Sequence, residues 1–323
     1  MNNTLVSLLM PVKDSEKYIS LAIRSIINQT YRNLELIIID ASRDNTEKKI
    51  KEFNDNRIKH IKDIHGNLST ALNKAITLSS GEYIARMDGD DISDSTRIEQ
   101  QYNYINKYPE TDVVGTNYTV IDRTGKKIFI KKMPELNDDI EYMMPIITSV
   151  LHPTIFTRKK VLIEAGLYRE DIVYAEDTEL FIRLIRKGYR FYNIQKPLYF
   201  YRISNKDKTI YHKADEVSYN LGFEYLKQYY NKIKDRRSEY DKNYRFGLLE
   251  YYKGSIKKSK CYFLKCLIIN PLKLHKIFRY LILSISGKAI LGTLRKTKTT
   301  QRINFTINRI LKLDTNKIKR IYK

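Results

Sequence analysis

The chain has 323 residues, is 42% apolar, and sets 59 Lys/Arg against 37 Asp/Glu for a formal charge of +22. That apolar share supplies a sizeable core and excludes a globally disordered chain, and the length suits one large domain with an appendage, or two domains. The charge is local: residues 254–323 hold 18 Lys/Arg and one acid, Asp314, against 41 basic and 36 acidic residues elsewhere, so an anionic surface is expected at the tail.

Leu5–Val12 is a continuous apolar run closed by Pro11-Val12, and Tyr18–Gln29 has its apolar residues at helical spacing. Leu34–Ile39 predicts a second buried strand ending in Asp40. Asp44-Asn45-Thr46 opens a helix to about Phe53, Arg57–Lys62 a short strand, and Asn67–Leu78 a helix stopped by Ser79-Ser80-Gly81. Glu82–Met87 is the fourth strand. It ends in Asp88, Asp90 and Asp91, and the next helix, capped by Asp94 or Ser95, runs to about Asn106. Strand–helix alternation with unbroken apolar strands predicts an α/β fold with a mostly parallel sheet covered on both faces. In such sheets ligands bind beyond the carboxyl ends of the strands.

After Pro109 the pattern changes. Asp112–Ile121 and Lys127–Lys131 read as a hairpin, Asn137–Met144 as a short helix, and Val150–Thr157 as a strand carrying His152-Pro153. Lys159–Ala165 predicts a helix stopped by Gly166. A second, amphipathic helix follows the acidic start Glu176-Asp177 and stops at Gly188. Tyr189–Ile194 and Pro197–Tyr201 read as two short strands ending in Arg202. Helices are expected over Tyr211–Tyr230 and Ser238–Tyr252. Leu248–Pro271 has the pattern of one tetratricopeptide-like hairpin, too little for an array. Cys261 and Cys266 fall on different faces of one helix, so a disulfide between them is not expected. Pro271–Leu294 mixes Leu, Ile and Phe with Lys and Arg, as a helix lying in a membrane interface does.

Three like charges within four residues repel one another, and a divalent cation bridging phosphates offsets that repulsion. Acids at a helix start also favour the helix dipole, so Glu176-Asp177 has a purely structural reading beside the chemical one, a carboxylate base for a hydroxyl nucleophile. Dinucleotide and P-loop fingerprints are missing from the sequence, as is a G-x-S-x-G.

Residues 5–202 resemble a family 2 glycosyltransferase of the GT-A fold, a Rossmann-like domain. The matching pieces are M-P-V-K-D-S-E-K-Y-I (10–19), S-I-I-N-Q-T-Y-R-N-L-E-L-I-I-I-D (25–40), A-L-N-K-A-I (71–76), G-E-Y-I-A-R-M-D-G-D-D-I-S (81–93), H-P-T-I-F-T-R-K (152–159), A-E-D-T-E-L-F-I-R-L (175–184) and Y-R (201–202). The resemblance implies a GT-A domain over 1–205, with a nucleotide half to about 108 and an acceptor half from 109; the residues beyond it read as a small basic helical region over 206–323. It further implies that Pro11, Val12, Asp40 and Asp88 hold a nucleotide-diphosphate sugar. Asp90, with Asp88, would ligate Mn2+ or Mg2+. Asp177 would be the base in an inverting transfer to a glycan or lipid-linked glycan, and Glu176, His152 and Arg202 would be weaker contacts to acceptor or diphosphate. Three departures stand out: the loop after the second strand is shortened to Asp40-Ala41-Ser42-Arg43-Asp44, Asp14 replaces a frequent Asn, and Ser204 stands where a His is often found.

The tail is expected to meet an anionic membrane surface. It has no groove-reading motif and the upstream domain is not basic, so no nucleic-acid partner is expected. The first residues lack a signal-peptide pattern and no apolar run of ~18 residues occurs, so the expected location is the cytoplasm, peripheral on the inner face of the cell membrane. Two rival readings are a catalytically silent GT-A shell used for binding and a sugar nucleotidyltransferase.

Overall fold

The computed structural model describes residues 4–63, 65–203, 208–232, 236–270, 277 and 280. Two compact units divide the chain, Met1–Tyr225 and Leu226–Lys323. The first therefore takes in residues beyond 205.

The first unit opens with β1 (Val6–Val12), α1 (Ile19–Ile27), β2 (Leu34–Asp40), α2 (Thr46–Lys51), β3 (Ile58–Lys62), α3 (Leu68–Leu78) and β4 (Tyr83–Arg86). β1 and β2 are buried along nearly their whole length because helices cover both faces of the sheet. Pairing is parallel, Val6 with Leu34 through Val12 with Asp40, and Val6 with Tyr83 through Leu9 with Arg86. Ile19, Ala22, Ile23 and Ile26 of α1 are wholly buried in the same core as Leu8, Met10, Leu36 and Ile38, which is the helical stripe the spacing predicts. Asn67 caps α3 by accepting from the Thr70 amide. Gly81 precedes β4 because a Cβ there would lie 2.6 Å from the Ser7 amide nitrogen.

Next come β5 (Ile92–Ser93), α4 (Arg97–Lys107), β6 (Val113–Ile121), β7 (Lys127–Lys131), α5 (Asn137–Met143), β8 (Phe156–Arg158), α6 (Lys159–Ala165), α7 (Glu176–Arg186) and β9 (Phe191–Arg202). The sheet runs β3-β2-β1-β4-β8-β6-β9-β5, with β7 attached to β6. β8 is antiparallel to both β4 and β6, whereas β6 and β9 are parallel.

Two expectations are corrected. The strand over Val150–Thr157 shrinks to β8, and His152–Thr154 forms a 3-10 turn. Pro153 has no N–H for a ladder, and the Thr154 hydroxyl donates to the Leu151 carbonyl at 2.7 Å, closing the turn locally. The two strands around Gln195-Lys196 are one, β9, which passes Pro197 by shifts of register against Asn117; a proline inside a sheet sits where the ladder is interrupted.

α8 (Lys208–Asn231) leads into the second unit, where α9 (Arg236–Lys253) and α10 (Ile256–Ile269) form a helical hairpin. Phe263 fills it; a Cβ on Gly247 would lie 2.6 Å from that ring. Cys266 is buried and Cys261 exposed, both free. Most of the expected interfacial stretch Pro271–Leu294, the tail beyond it, and Ser204 lie outside the described residues.

Candidate active site

β1, β2 and β4 are parallel neighbours, so Val12, Asp40 and Asp88 emerge at one edge of the sheet. Their loops are laced together. The Ala41 amide donates to the Val12 carbonyl at 2.8 Å, the Asp14 amide to Ser42 Oγ at 2.9 Å, and the Arg43 amide to Asp14 Oδ1 at 2.8 Å. Asp14 adopts a left-handed backbone, φ 49°, which Asp tolerates better than most residues. Pro11 is half-buried and Val12 buried. A Cβ on Gly89 would come within 3.0 Å of Val12 Cγ2, so the acidic loop rests on the end of β1.

Asp40 is fully buried. Its Oδ1 accepts from the Ser42 amide at 2.8 Å; its Oδ2 lies 3.2 Å from both His60 Nε2 and Lys62 Nζ. Burial alone would raise its pKa, but these bonds win and hold the carboxyl below its ordinary value. Asp40 thus anchors the loop and Lys62; whatever it offers a ligand is offered with these bonds in place.

The acidic loop is tied from β9. Tyr199 Oη donates to Asp91 Oδ2 at 2.8 Å and accepts from the Asp88 amide at 3.2 Å. The Arg202 amide donates to Asp91 Oδ1 at 2.7 Å, and Arg202 Nε to the Asp90 carbonyl at 2.7 Å. Asp91 is buried, and burial together with the charges of Asp88 and Asp90 pushes its pKa well up. Its place is the turn. Arg202 is buried too, its guanidinium also donating to the Asp122 and Arg123 carbonyls. It therefore stands behind the loop as a brace.

Carboxylate oxygens of Asp88, Asp90 and Asp91 lie within 4.8 Å of one another. Hard carboxylate donors suit Mg2+ or Mn2+. Asp91 is bonded to Tyr199 and Arg202 and Asp88 to Arg86, so a cation here would meet carboxylates already oriented by the fold and would neutralise the negative charge concentrated in the loop.

Arg86 is the residue the sequence reading missed. Only 3% exposed, it grips Asp88 with both terminal nitrogens, at 2.7 and 3.1 Å. Burial opposes its charge most, but Asp88 together with Tyr199, Tyr168 and Glu176 outweighs burial and raises its pKa. Arg97, also fully buried, donates to the Arg86 and Pro153 carbonyls and holds β4 against the turn at Pro153.

Beyond Arg86 lies the start of α7. Ala175, its N-cap, has φ 61° and ψ 32°, a strained conformation for a residue with a Cβ. His152 Nε2 is 2.8 Å from Tyr168 Oη, and its Nδ1 is 3.7 Å from Glu176. Burial, then the Arg86 charge, pushes His152 well below its usual pKa, so it is neutral. Glu176 is pushed up to about 7, by burial first and by Asp177 second, with Asp88 adding to the effect and Arg86 opposing it. Asp177 is also raised, by burial; its Oδ1 accepts from the Thr178 amide at 2.7 Å. The charges of Asp88 and Arg86 are therefore both felt at Glu176, which makes the acidic loop and the start of α7 electrostatic neighbours.

The glycosyl transferase family 2 sequence model matches residues 7–166. The O-antigen biosynthesis glycosyltransferase WbnJ of Escherichia coli is 35% identical over 232 residues, covering 69% of this chain and 90% of WbnJ. Among solved structures, residues 1–349 of Staphylococcus aureus TarS with UDP-GlcNAc superpose with a TM-score of 0.60 at 17% identity, covering 87% of each chain. The Pyrobaculum calidifontis mannosyltransferase PcManGT, solved with GDP-Man and Mn2+, gives 0.57 at 14% identity, covering 95% of this chain and 84% of its own. Against a longer TarS chain, the match spans 50% of that chain. The sheet order, the acidic loop after β4 and the extent of the WbnJ match agree: this chain is a glycosyltransferase, a member of family 2 with the GT-A fold.

Proposed function

We propose that the chain moves one sugar from a nucleotide-diphosphate sugar to a hydroxyl of a glycan or lipid-linked glycan, inverting the anomeric centre, in surface-polysaccharide assembly. The observation that carries this reading is the cluster of Asp88, Asp90 and Asp91, whose carboxylate oxygens lie within 4.8 Å of one another beyond β4, near enough to α7 for the charge of Asp88 to act on Glu176. The names of the relatives agree with it: an O-antigen glycosyltransferase, and GT-A neighbours solved with UDP-GlcNAc and with GDP-Man and Mn2+.

The laced loops after β1 and β2, with Pro11, Val12 and Asp40, form the wall for the nucleoside. A divalent cation, Mn2+ or Mg2+, would be held by Asp90 and Asp88 and would supply positive charge to the departing diphosphate. Arg86 fixes Asp88 in orientation. Asp177 accepts the proton of the acceptor hydroxyl, whose oxygen forms the new bond to the anomeric carbon as the bond to the diphosphate breaks on the opposite face. Glu176 beside it keeps the pair's proton affinity high, which a base needs near neutral pH. Arg202 is a positioning residue acting through the Asp90–Asp91 backbone. Among the described residues no helix is long and apolar enough to cross a membrane. The reading places the chain peripherally on the cytoplasmic membrane face, with the basic residues 254–323 toward anionic lipid.

A screen of nucleotide sugars for nucleoside diphosphate release, with Mn2+ or Mg2+ and with chelator, tests the donor and metal parts. Release that is indifferent to chelator overturns the metal role. Product NMR tests inversion: retention of the donor's anomeric configuration overturns it.

A further inference from the structure

The hairpin formed by β6 and β7 ends in a segment unlike the rest of the sheet. Every residue from Arg123 to Lys132 is exposed. Within it Ile128, Phe129 and Ile130 are 50%, 54% and 57% exposed, adjacent in sequence and alternating between the two faces of β7. Lys126 and Lys127 precede them, Lys131 and Lys132 follow, Arg123 stands at the turn, and residues 123–132 contain no acid. Among the described residues β7 pairs with β6 alone. Its turn is well made: Asp122 Oδ1 accepts from the Thr124 and Lys126 amides at 2.8 and 3.0 Å, with Gly125 at φ 89°.

We propose that the Arg123–Lys132 hairpin docks onto an anionic lipid bilayer. Ile128, Phe129 and Ile130 enter the headgroup region, and the flanking cations meet lipid phosphates. Apolar side chains framed by Lys and Arg are what an interfacial segment requires. A soluble anionic polymer would engage the cations and leave the three apolar side chains in water. A second copy pairing antiparallel about Phe129 would set Lys127 opposite Lys131, and like charges directly opposite are destabilising.

The hairpin is wired to the active site. Arg202 Nη1 donates to the Asp122 carbonyl at 3.0 Å and the Arg123 carbonyl at 3.3 Å, while its Nε holds the Asp90 carbonyl. One side chain joins the root of the docking element to the acidic loop, so docking presents that loop to acceptors anchored in the same membrane. This deepens the proposed function and rests on it for the lipid-linked acceptor; the docking itself stands on the hairpin alone.

The chain contains no tryptophan, so Phe129→Trp creates a single local reporter in the 323-residue chain. On vesicles of phosphatidylcholine containing phosphatidylglycerol, its emission shifts to the blue and is quenched by brominated acyl chains. Apparent affinity falls at least about tenfold on pure phosphatidylcholine. Adding Ile128→Glu and Ile130→Glu abolishes the shift. Unchanged, unquenched emission from protein that co-sediments with the vesicles overturns the proposal, because another segment then makes the contact. An equal shift on neutral vesicles, or a shift produced by protein concentration without lipid, overturns it as well. Donor hydrolysis measured without lipid reports on the proposed function separately: its failure with the Trp signal intact refutes the donor reading and leaves the docking standing.

Discussion

The carboxylate that ends β2 and the pair that starts α7 differ in what surrounds them. Asp40 is buried among donors, the Ser42 amide, His60 and Lys62, and is held down as an anion. Glu176 and Asp177 are shielded from water and next to each other, and burial pushes both up. Burial opposes charge in both places; at Asp40 the bonds from Ser42, His60 and Lys62 outweigh it, and at Asp177 it outweighs the bonds from Thr178. A donor-rich acid is an anchor, and its proton affinity is wasted. An acid whose burial wins has its proton affinity raised, which is the property a general base uses.

The largest expected effect falls on the α7 pair. Asp177→Asn should lower transfer by about 10³-fold while leaving donor binding intact. Steady-state transfer alongside calorimetric donor titration checks this; transfer within tenfold of the parent would remove Asp177 from the chemistry. Asp90→Ala should cost about 10²-fold and remove the response to added Mn2+ or Mg2+. A preserved metal response would shift the ligand role elsewhere.

Asp40→Asn tests the anchor. It should destabilise by about 2 kcal/mol, since Lys62 and His60 lose a buried charged acceptor. Asp40's folded pKa lies below its unfolded value. Its contribution is therefore present above the unfolded pKa and lost as pH falls through the folded one, so parent and variant should converge in acid. Melting curves from acid to neutral pH that stay parallel would contradict the assignment.

The smallest effect should have the opposite sign. Glu176 has its folded pKa raised from 4.5 to about 7. Protonated Glu176 is favoured in the folded state, so stability falls as pH rises from 4.5 to about 7, and the cost persists above. Glu176→Gln should then stabilise the metal-free protein by about 1–2 kcal/mol at alkaline pH, with no gain below the unfolded value. A variant no more stable than its parent at alkaline pH breaks the contrast with Asp40. Through the same pair, transfer by the parent should rise with pH through about 7.

The strand ends at Val12, Asp40 and Asp88 were legible in the sequence because apolar runs and their terminators are local signals. So was the helix that starts at Glu176-Asp177, read from its acidic first turn and amphipathic spacing. Arg86 was not: a lone Arg in an apolar run reads as an exposed position, and only the return of β8 beside β4 shows that it is enclosed. The signal that could have found it is its spacing, two residues before Asp88 at the end of a buried strand. Tyr199 and Arg202 were illegible as braces because β9 reaches the acidic loop across more than a hundred residues of chain. Asp40 was placed correctly at its strand end, but its donors come from β3, whose pairing no local pattern reveals.

The irregular pairing of β9 has a consequence for how that brace was set. Thr116 pairs with Ile194, yet Ile121 pairs with Arg202, so β9 accommodates three more residues than β6 over this stretch. Side chains alternate along a strand, and an odd offset exchanges the two faces. Removing Gln195 alone would turn Tyr199 away from Asp91 and put Phe200 in its place, a ring without a hydroxyl. The shape of the acidic loop is thus metered by chain length near Pro197, and indels there would act as catalytic mutations although no reacting group lies among them.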